Sequence, residues 1–299
     1  MTKEKELKRS QASQTRARPL KLGRYHGEIL LSYDDPAFLD ALASPENLWR
    51  RAEARLLLDS RNRLSAVRLR LSSGREIDIV VKEFFPRGLI KLKSLIQPSR
   101  AERAWRGTLA LLEKGIDTPS PVGYLEARRG WLSWLPACAA VPALVEHGLF
   151  LAEEIKRAEE IRTLFRTLDA ADLRPLLTRL AGHLLICHER GILHRDLSDG
   201  NILIEKAENG AMKFYLIDTT RVRLRRRLGR FQRIKNLIRL GIPASLQSFF
   251  LSEYFRLAGW QDSVALRFWY RINKAAFRNY IALKKKLGLR KIARRLKIQ

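Results

Sequence analysis

The sequence predicts an α+β chain in two lobes: a small antiparallel sheet with one helix, then a mainly α-helical lobe. Three observations carry that expectation. Residues 55–84 hold three apolar runs separated by short polar turns, the pattern of an antiparallel meander. From residue 174 onward leucines recur at helical spacing. Near the start of that helical text stand Ile202-Leu203-Ile204 and Phe214-Tyr215-Leu216-Ile217, two short strands around a turn at Glu208-Asn209-Gly210, with Asp196, Asn201 and Asp218 converging at one end of the hairpin.

Residues 1–23 are polar and basic with no hydrophobic period, and read as a disordered arm. The N-terminal lobe spans 24–154. It opens with a strand at 28–32 and a helix capped by Asp35 ahead of Pro36, running through Phe38, Leu39 and Leu42. The meander follows at 55–58, 66–71 and 77–84. Ser99 caps a helix reaching Lys114, in which Ala104, Trp105, Leu109, Leu111 and Leu112 recur at roughly helical spacing before Gly115 ends it. Thr118-Pro119-Ser120-Pro121 then turns the chain into a strand at 122–126. After Arg129-Gly130 the apolar window from Trp131 completes the sheet, and 150–155 is a strand leading into a hinge.

The helical lobe is expected at 155–283. A helix at 174–190 feeds Gly191-Ile192-Leu193 into the polar loop, and amphipathic segments follow at 232–240, 244–257 and 263–283. Residues 284–299 form a basic amphipathic tail. From Tyr280 onward there are eight basic residues and no acidic one, a composition suited either to an anionic membrane surface or to packing on the large lobe.

The loop carries the chemistry. An Asp, an Asn five positions later and a second Asp beyond an apolar strand form the arrangement that kinase-like phosphotransferases use to hold Mg²⁺-ATP beside an acceptor hydroxyl. Asp196 is the candidate catalytic base, and Asn201 and Asp218 are candidates to offer Mg²⁺ an oxygen. His194 reads as packing beneath the loop rather than handling protons. In such a small lobe the third strand carries a Lys toward the ATP phosphates, and Val80-Val81-Lys82 stands at that place. Kinases pair this Lys with a helix Glu; Glu102 is the best-placed candidate, with Glu113 open. The turn at 59–63 has no glycine, so cover for the phosphates is expected from side chains such as Arg61 or Arg63.

With 299 residues and 46% hydrophobic content the chain can bury a substantial core, which excludes a disordered or fibrous protein. Lys and Arg number 58 against 31 Asp and Glu, a formal net charge of +27, which calls for an anionic partner. The only cysteines, Cys138 and Cys187, have neither metal-ligand spacing nor a disulfide framework, so a reducing cytoplasmic setting is expected. The most apolar window, 131–145, is broken by Pro136 and Pro142 and is too short to span a bilayer.

Together these residues resemble the bacterial lipopolysaccharide kinase family. The resemblance rests on His194-Arg195-Asp196-Leu197-Ser198 through Asn201-Ile202-Leu203, Phe214 to Asp218 with Arg221 behind it, Arg233-Ile234-Lys235-Asn236-Leu237, and Gly115-Ile116-Asp117-Thr118-Pro119. It implies a protein-kinase-like fold, ATP and Mg²⁺, and phosphorylation of heptose or Kdo in the lipopolysaccharide inner core at the cytoplasmic side of the inner membrane. It implies Lys82 at the ATP phosphates, Asp196 as base, and Asn201 with Asp218 at the metal. Some members carry Glu immediately before the helix aromatic, where this chain has Ala104 before Trp105.

Two rivals fit less well. A protein Ser/Thr kinase would show Lys two residues after the catalytic Asp and Phe-Gly after the metal Asp; here those positions hold Ser198 and Thr219-Thr220. A nucleic-acid-binding protein with a vestigial kinase fold would not need all three polar positions, and the basic stretches lack the interleaved aromatics that stack bases. The run from Arg221 to Arg239, with nine basic residues and no acidic one, is expected to face an anionic acceptor.

Overall fold

A computed structural model describes residues 15–51, 54–59, 62–130, 143–206 and 211–287. The chain divides into two compact units. The first holds the described residues up to Leu109 together with Pro119–Glu154, and the second holds Ala110–Thr118 and the described residues from Ile155 onward.

The first unit is built on a seven-stranded antiparallel sheet in the order β1-β2-β6-β7-β5-β4-β3. Its strands are β1 (Ala17–Leu22), β2 (Tyr25–Leu30), β3 (Ala54–Asp59), β4 (Asn62–Arg70), β5 (Glu76–Phe84), β6 (Pro121–Gly130) and β7 (Ala143–Glu153). Alternation in β5 buries Ile77, Ile79 and Val81 in a core shared with Tyr25, Phe38 and Trp105, and turns Asp78, Val80 and Lys82 to the opposite face. The meander expected at 55–84 is β3-β4-β5. The strand β1 corrects the reading of residues through Gly23 as a disordered arm. Its six residues pair with β2 from Ala17↔Leu30 to Leu22↔Tyr25 and bury Leu20, so the hairpin satisfies a backbone too short in apolar residues to show a period of its own. Residues 131–142 of the expected apolar window and the expected turn at 208–210 lie outside the described residues.

Short helices α1 (Pro36–Ala41) and α2 (Leu89–Lys93) accompany the sheet, and α3 (Arg100–Glu113) crosses from one unit to the other. The Asp35 carboxylate accepts from the Phe38 amide at 3.0 Å and Pro36 sits in the first turn, the capping that the sequence indicated. Ser99 caps α3 in the same way, accepting from the Glu102 amide at 3.1 Å.

The second unit contains α4 (Ile161–Thr167), α5 (Ala170–Glu189), α6 (Arg230–Leu237), α7 (Gln247–Leu257) and α8 (Val264–Lys286). Two small sheets accompany them: β8 (Ala158–Glu160) with β10 (Ile202–Lys206) and β11 (Met212–Leu216), and β9 (Ile192–His194) with β12 (Val222–Leu224). Helix α5 begins four residues before the expected start because Asp169 accepts from the Asp172 amide at 2.9 Å, with Pro175 carried inside the helix. Leu173, Leu176, Leu177, Leu180 and Leu184 are essentially fully buried, each contributing about 2 kcal/mol of apolar burial. They hold α5 against α7 and give the loop that follows a rigid base.

Candidate active site

Helix α5 ends at Gly191, whose φ of +75° only glycine adopts freely, and the chain enters β9. His194 closes that strand, paired with Val222, and is buried. Its Nε2 donates to the Ile217 carbonyl at 3.0 Å, and its Nδ1 accepts from the Asp196 amide at 3.3 Å. One imidazole thus fixes the backbone at Asp196 and the strand end preceding Asp218. Burial lowers its pKa, keeping the ring neutral as this donor–acceptor pattern requires.

Asn201 is joined to the same loop. Its Nδ2 donates to the Asp196 carbonyl at 2.7 Å, leaving Oδ1 as the amide atom able to meet a cation, while its carbonyl accepts from the Ile217 amide at 3.0 Å. Asp218 follows with φ 54° and ψ 54°. It is the only non-glycine with positive φ among the described residues. Strain of this kind collects at functional positions, and an Asp tolerates it better than most residues. The Thr220 hydroxyl donates to its Oδ1 at 3.0 Å. Asp196, Asn201 and Asp218 are therefore linked through three backbone carbonyls and one buried histidine.

The Asp196 carboxylate is held by two guanidiniums. Arg239 Nη2 lies 2.6 Å from Oδ1 and Arg221 Nη1 lies 3.6 Å from Oδ2; Arg239 also donates from Nη1 to the Arg195 carbonyl at 3.2 Å. Its Nε is buried and makes no hydrogen bond, and the group sits 5.1 Å from the Phe277 ring centre. Nearby, Asp199 is paired with Arg162 at 3.2 Å, and a Cβ at Gly241 would come within 2.5 Å of its Oδ2, so Asp199 is an anchor of the loop. Of the basic run, Arg223, Arg225, Arg226 and Arg227 are exposed.

Beneath the loop a buried polar chain runs from α6 through α5 to α7. Asn236 donates from Nδ2 to the His194 carbonyl at 2.9 Å, and its Oδ1 accepts from His188 Nε2 at 3.1 Å. His188 Nδ1 then accepts from the Tyr254 hydroxyl at 2.7 Å. Desolvation lowers His188 to about 4 and raises Tyr254, leaving both neutral. Sequence reasoning missed His188, Asn236 and Arg239 as parts of this site. Asn236 and Arg239 lay inside stretches already singled out, but nothing in the sequence marked His188, a histidine on an apolar helix.

In the sheet unit, Lys82 lies on β5 opposite Leu64 and Phe150, with Nζ 5.6 Å from the Phe84 ring centre. The Glu102 carboxylate is paired with Arg106 one turn further along α3. Arg63 corrects the expectation of a phosphate cover. It stands opposite Glu83 in the β4–β5 register, on the face away from Lys82, where its guanidinium meets the buried Glu83 carboxylate at 3.5 Å and stacks 4.0 Å from the Trp49 ring centre. Arg61 lies outside the described residues.

The model of the lipopolysaccharide kinase (Kdo/WaaP) family matches residues 87–259, which hold α3, the loop and the helices that support it. The chain belongs to that family. Its fold is kinase-like, α+β with a large antiparallel sheet. It is also similar to casein kinase II subunit alpha' of Saccharomyces cerevisiae, with 30% identity over 124 residues; that match takes in 42% of this chain and 32% of the yeast protein. The chain thus spans about a third of the length of that curated relative. Among solved structures it is similar to WaaP in complex with acyl carrier protein, at 20% identity and a TM-score of 0.48, covering 76% of this chain and 88% of that one.

Among the described residues no three His, Cys, Asp or Glu gather as a metal cluster. No helix among the described residues is long and apolar enough to cross a membrane.

Proposed function

We propose that this chain is a kinase that transfers the γ-phosphoryl group of ATP to a hydroxyl of heptose or Kdo in the lipopolysaccharide inner core. The reading rests above all on the linkage of Asp196, Asn201 and Asp218 through His194 and the backbone. Asp196 orients the acceptor hydroxyl and takes its proton as the new O–P bond forms, while the bond between the β- and γ-phosphates breaks and ADP departs with its electron pair. Mg²⁺, when bound, would neutralise phosphate charge; Asn201 Oδ1 and the Asp218 carboxylate are the atoms suited to hold it. Lys82 is assigned to the ATP phosphates and Glu102 to the support of Lys82. For Glu102 this requires the carboxylate to exchange its Arg106 partner, since the two are paired.

Arg221 and Arg239 have two tasks in this scheme. They aim the Asp196 carboxylate, and they offer donors to the carboxylate or phosphate groups of an inner-core acceptor. Such an acceptor is lipid-linked, so the kinase is assigned a peripheral position on the cytoplasmic face of the inner membrane.

The test uses the purified chain, ATP, Mg²⁺ and deacylated inner-core oligosaccharide, with products read by mass spectrometry. Asp196→Ala should abolish transfer while ATP binding is kept, and Asp218→Ala should weaken Mg²⁺-dependent ATP binding as well. Near-wild-type turnover in either variant overturns the assignment. The mass shift on heptose or on Kdo identifies the acceptor.

A further inference from the structure

Helix α8 has two apolar sides, and only one of them is used by the fold. Leu266 and Tyr270 are buried in the core of the second unit, and Lys274 donates to the Leu240 carbonyl and to the Tyr270 hydroxyl, both at 3.0 Å. On the other side Val264 is 83% exposed, Phe268 62% and Ile272 46%, and Leu283 and Leu287 continue the line. At 100° per residue these five fall within about 140° of arc, so they form one stripe rather than scattered exposed residues. Helix α6 widens it. Exposed Phe231 packs edge-on against Trp269, with ring centres 5.6 Å apart, and its carbonyl accepts from the Trp269 indole at 3.2 Å.

The charge around this stripe is of one sign. Helix α8 has seven basic residues and no acidic one, and exposed Arg271, Arg278 and Lys285 line one edge of the stripe. From Thr219 to Gln299 the only acidic residues are Glu253 and Asp262, and these are paired with Arg256 and Arg267. A helix with a broad apolar face, basic flanks and no acidic residue is the type that lies in the interface of an anionic bilayer, apolar side down and cations among the headgroups.

We propose that the exposed face of α8, with Phe231 of α6, is the surface by which this protein docks on acidic membranes. The inference gives the peripheral placement above a defined surface and does not depend on the phosphotransfer reading. It commits to lipid because long apolar side chains beside an exposed basic edge fit acyl chains and anionic headgroups together.

The full chain is sedimented with vesicles of phosphatidylcholine containing about a third phosphatidylglycerol, and with phosphatidylcholine alone, at low and high salt. Wild type should bind the acidic vesicles and not the neutral ones, with binding weakened by salt. Phe268→Ser with Ile272→Ser should lower binding at least tenfold, whereas Leu57→Ser with Leu58→Ser, exposed apolar positions on β3, should leave it unchanged. The α8 double variant should keep the wild-type melting curve and wild-type turnover on deacylated acceptor, so a failure of this idea and a failure of the kinase mechanism are seen separately. Absence of wild-type binding to acidic vesicles overturns the proposal, as does binding that the α8 double variant leaves intact, which would make the attraction purely electrostatic and centred elsewhere.

Discussion

Acid should loosen the helical unit, and His188 allows the size of the effect to be worked out. It is 2% exposed, and desolvation holds it at about 4; His183, which stacks on Phe214, is likewise held at about 4 by burial. In the unfolded chain both titrate near 6.5. Between pH 6.5 and 4 the unfolded state therefore binds more protons, and stability falls as pH falls through that window. Each histidine costs the fold about 2 kcal/mol at pH 5 relative to pH 7.5, and about 3 kcal/mol at pH 4. Two together remove about 4 kcal/mol at pH 5, a large part of an ordinary domain's stability. His188→Gln should be less stable at pH 7.5, because the Tyr254 hydroxyl loses its acceptor, yet should lose about 2 kcal/mol less than wild type on going to pH 5. Urea unfolding at pH 7.5, 6 and 5, followed by fluorescence and far-UV dichroism, reads this difference directly. Equal pH dependence in the two proteins would show that His188 is not held neutral by burial and would refute the reasoning.

Two further outcomes test the loop. Arg239→Gln should lower kcat by roughly 10- to 100-fold and raise KM for the acceptor with KM for ATP nearly unchanged, because it removes the 2.6 Å contact to Asp196 and the second contact to the Arg195 carbonyl. Arg239→Lys should recover only part of the loss, and steady-state kinetics against both substrates decide it; unchanged constants reject the role. Gly191→Ala should destabilise the second unit by well over about 1 kcal/mol, since the residue sits at positive φ and its new Cβ would lie 1.9 Å from the Arg225 carbonyl oxygen. A melting temperature equal to that of wild type would contradict the close approach of β9 and β12.

The sequence by itself determined the α+β class, the β3-β4-β5 meander, the Asp35 and Ser99 caps and the order Asp196, Asn201, Asp218. These are properties of neighbours along the chain: strand alternation, helical period, cap chemistry and motif spacing act over a few residues and can be read in one dimension. Composition also raised the expectation of an anionic partner, though not of which surface would meet it. Only the tertiary structure decided what holds the loop. Arg239 reaches Asp196 from 43 positions away, and Asn236 reaches the His194 carbonyl from 42, across helices whose packing no local pattern specifies. It also decided that Arg63 turns to Glu83 rather than to the face of Lys82, because a strand's register, and not its composition, assigns each side chain to a face. Likewise α8 carries apolar residues around much of its circumference, and only the burial of Leu266 and Tyr270 in the core left the stripe of Phe268 and Ile272 facing outward.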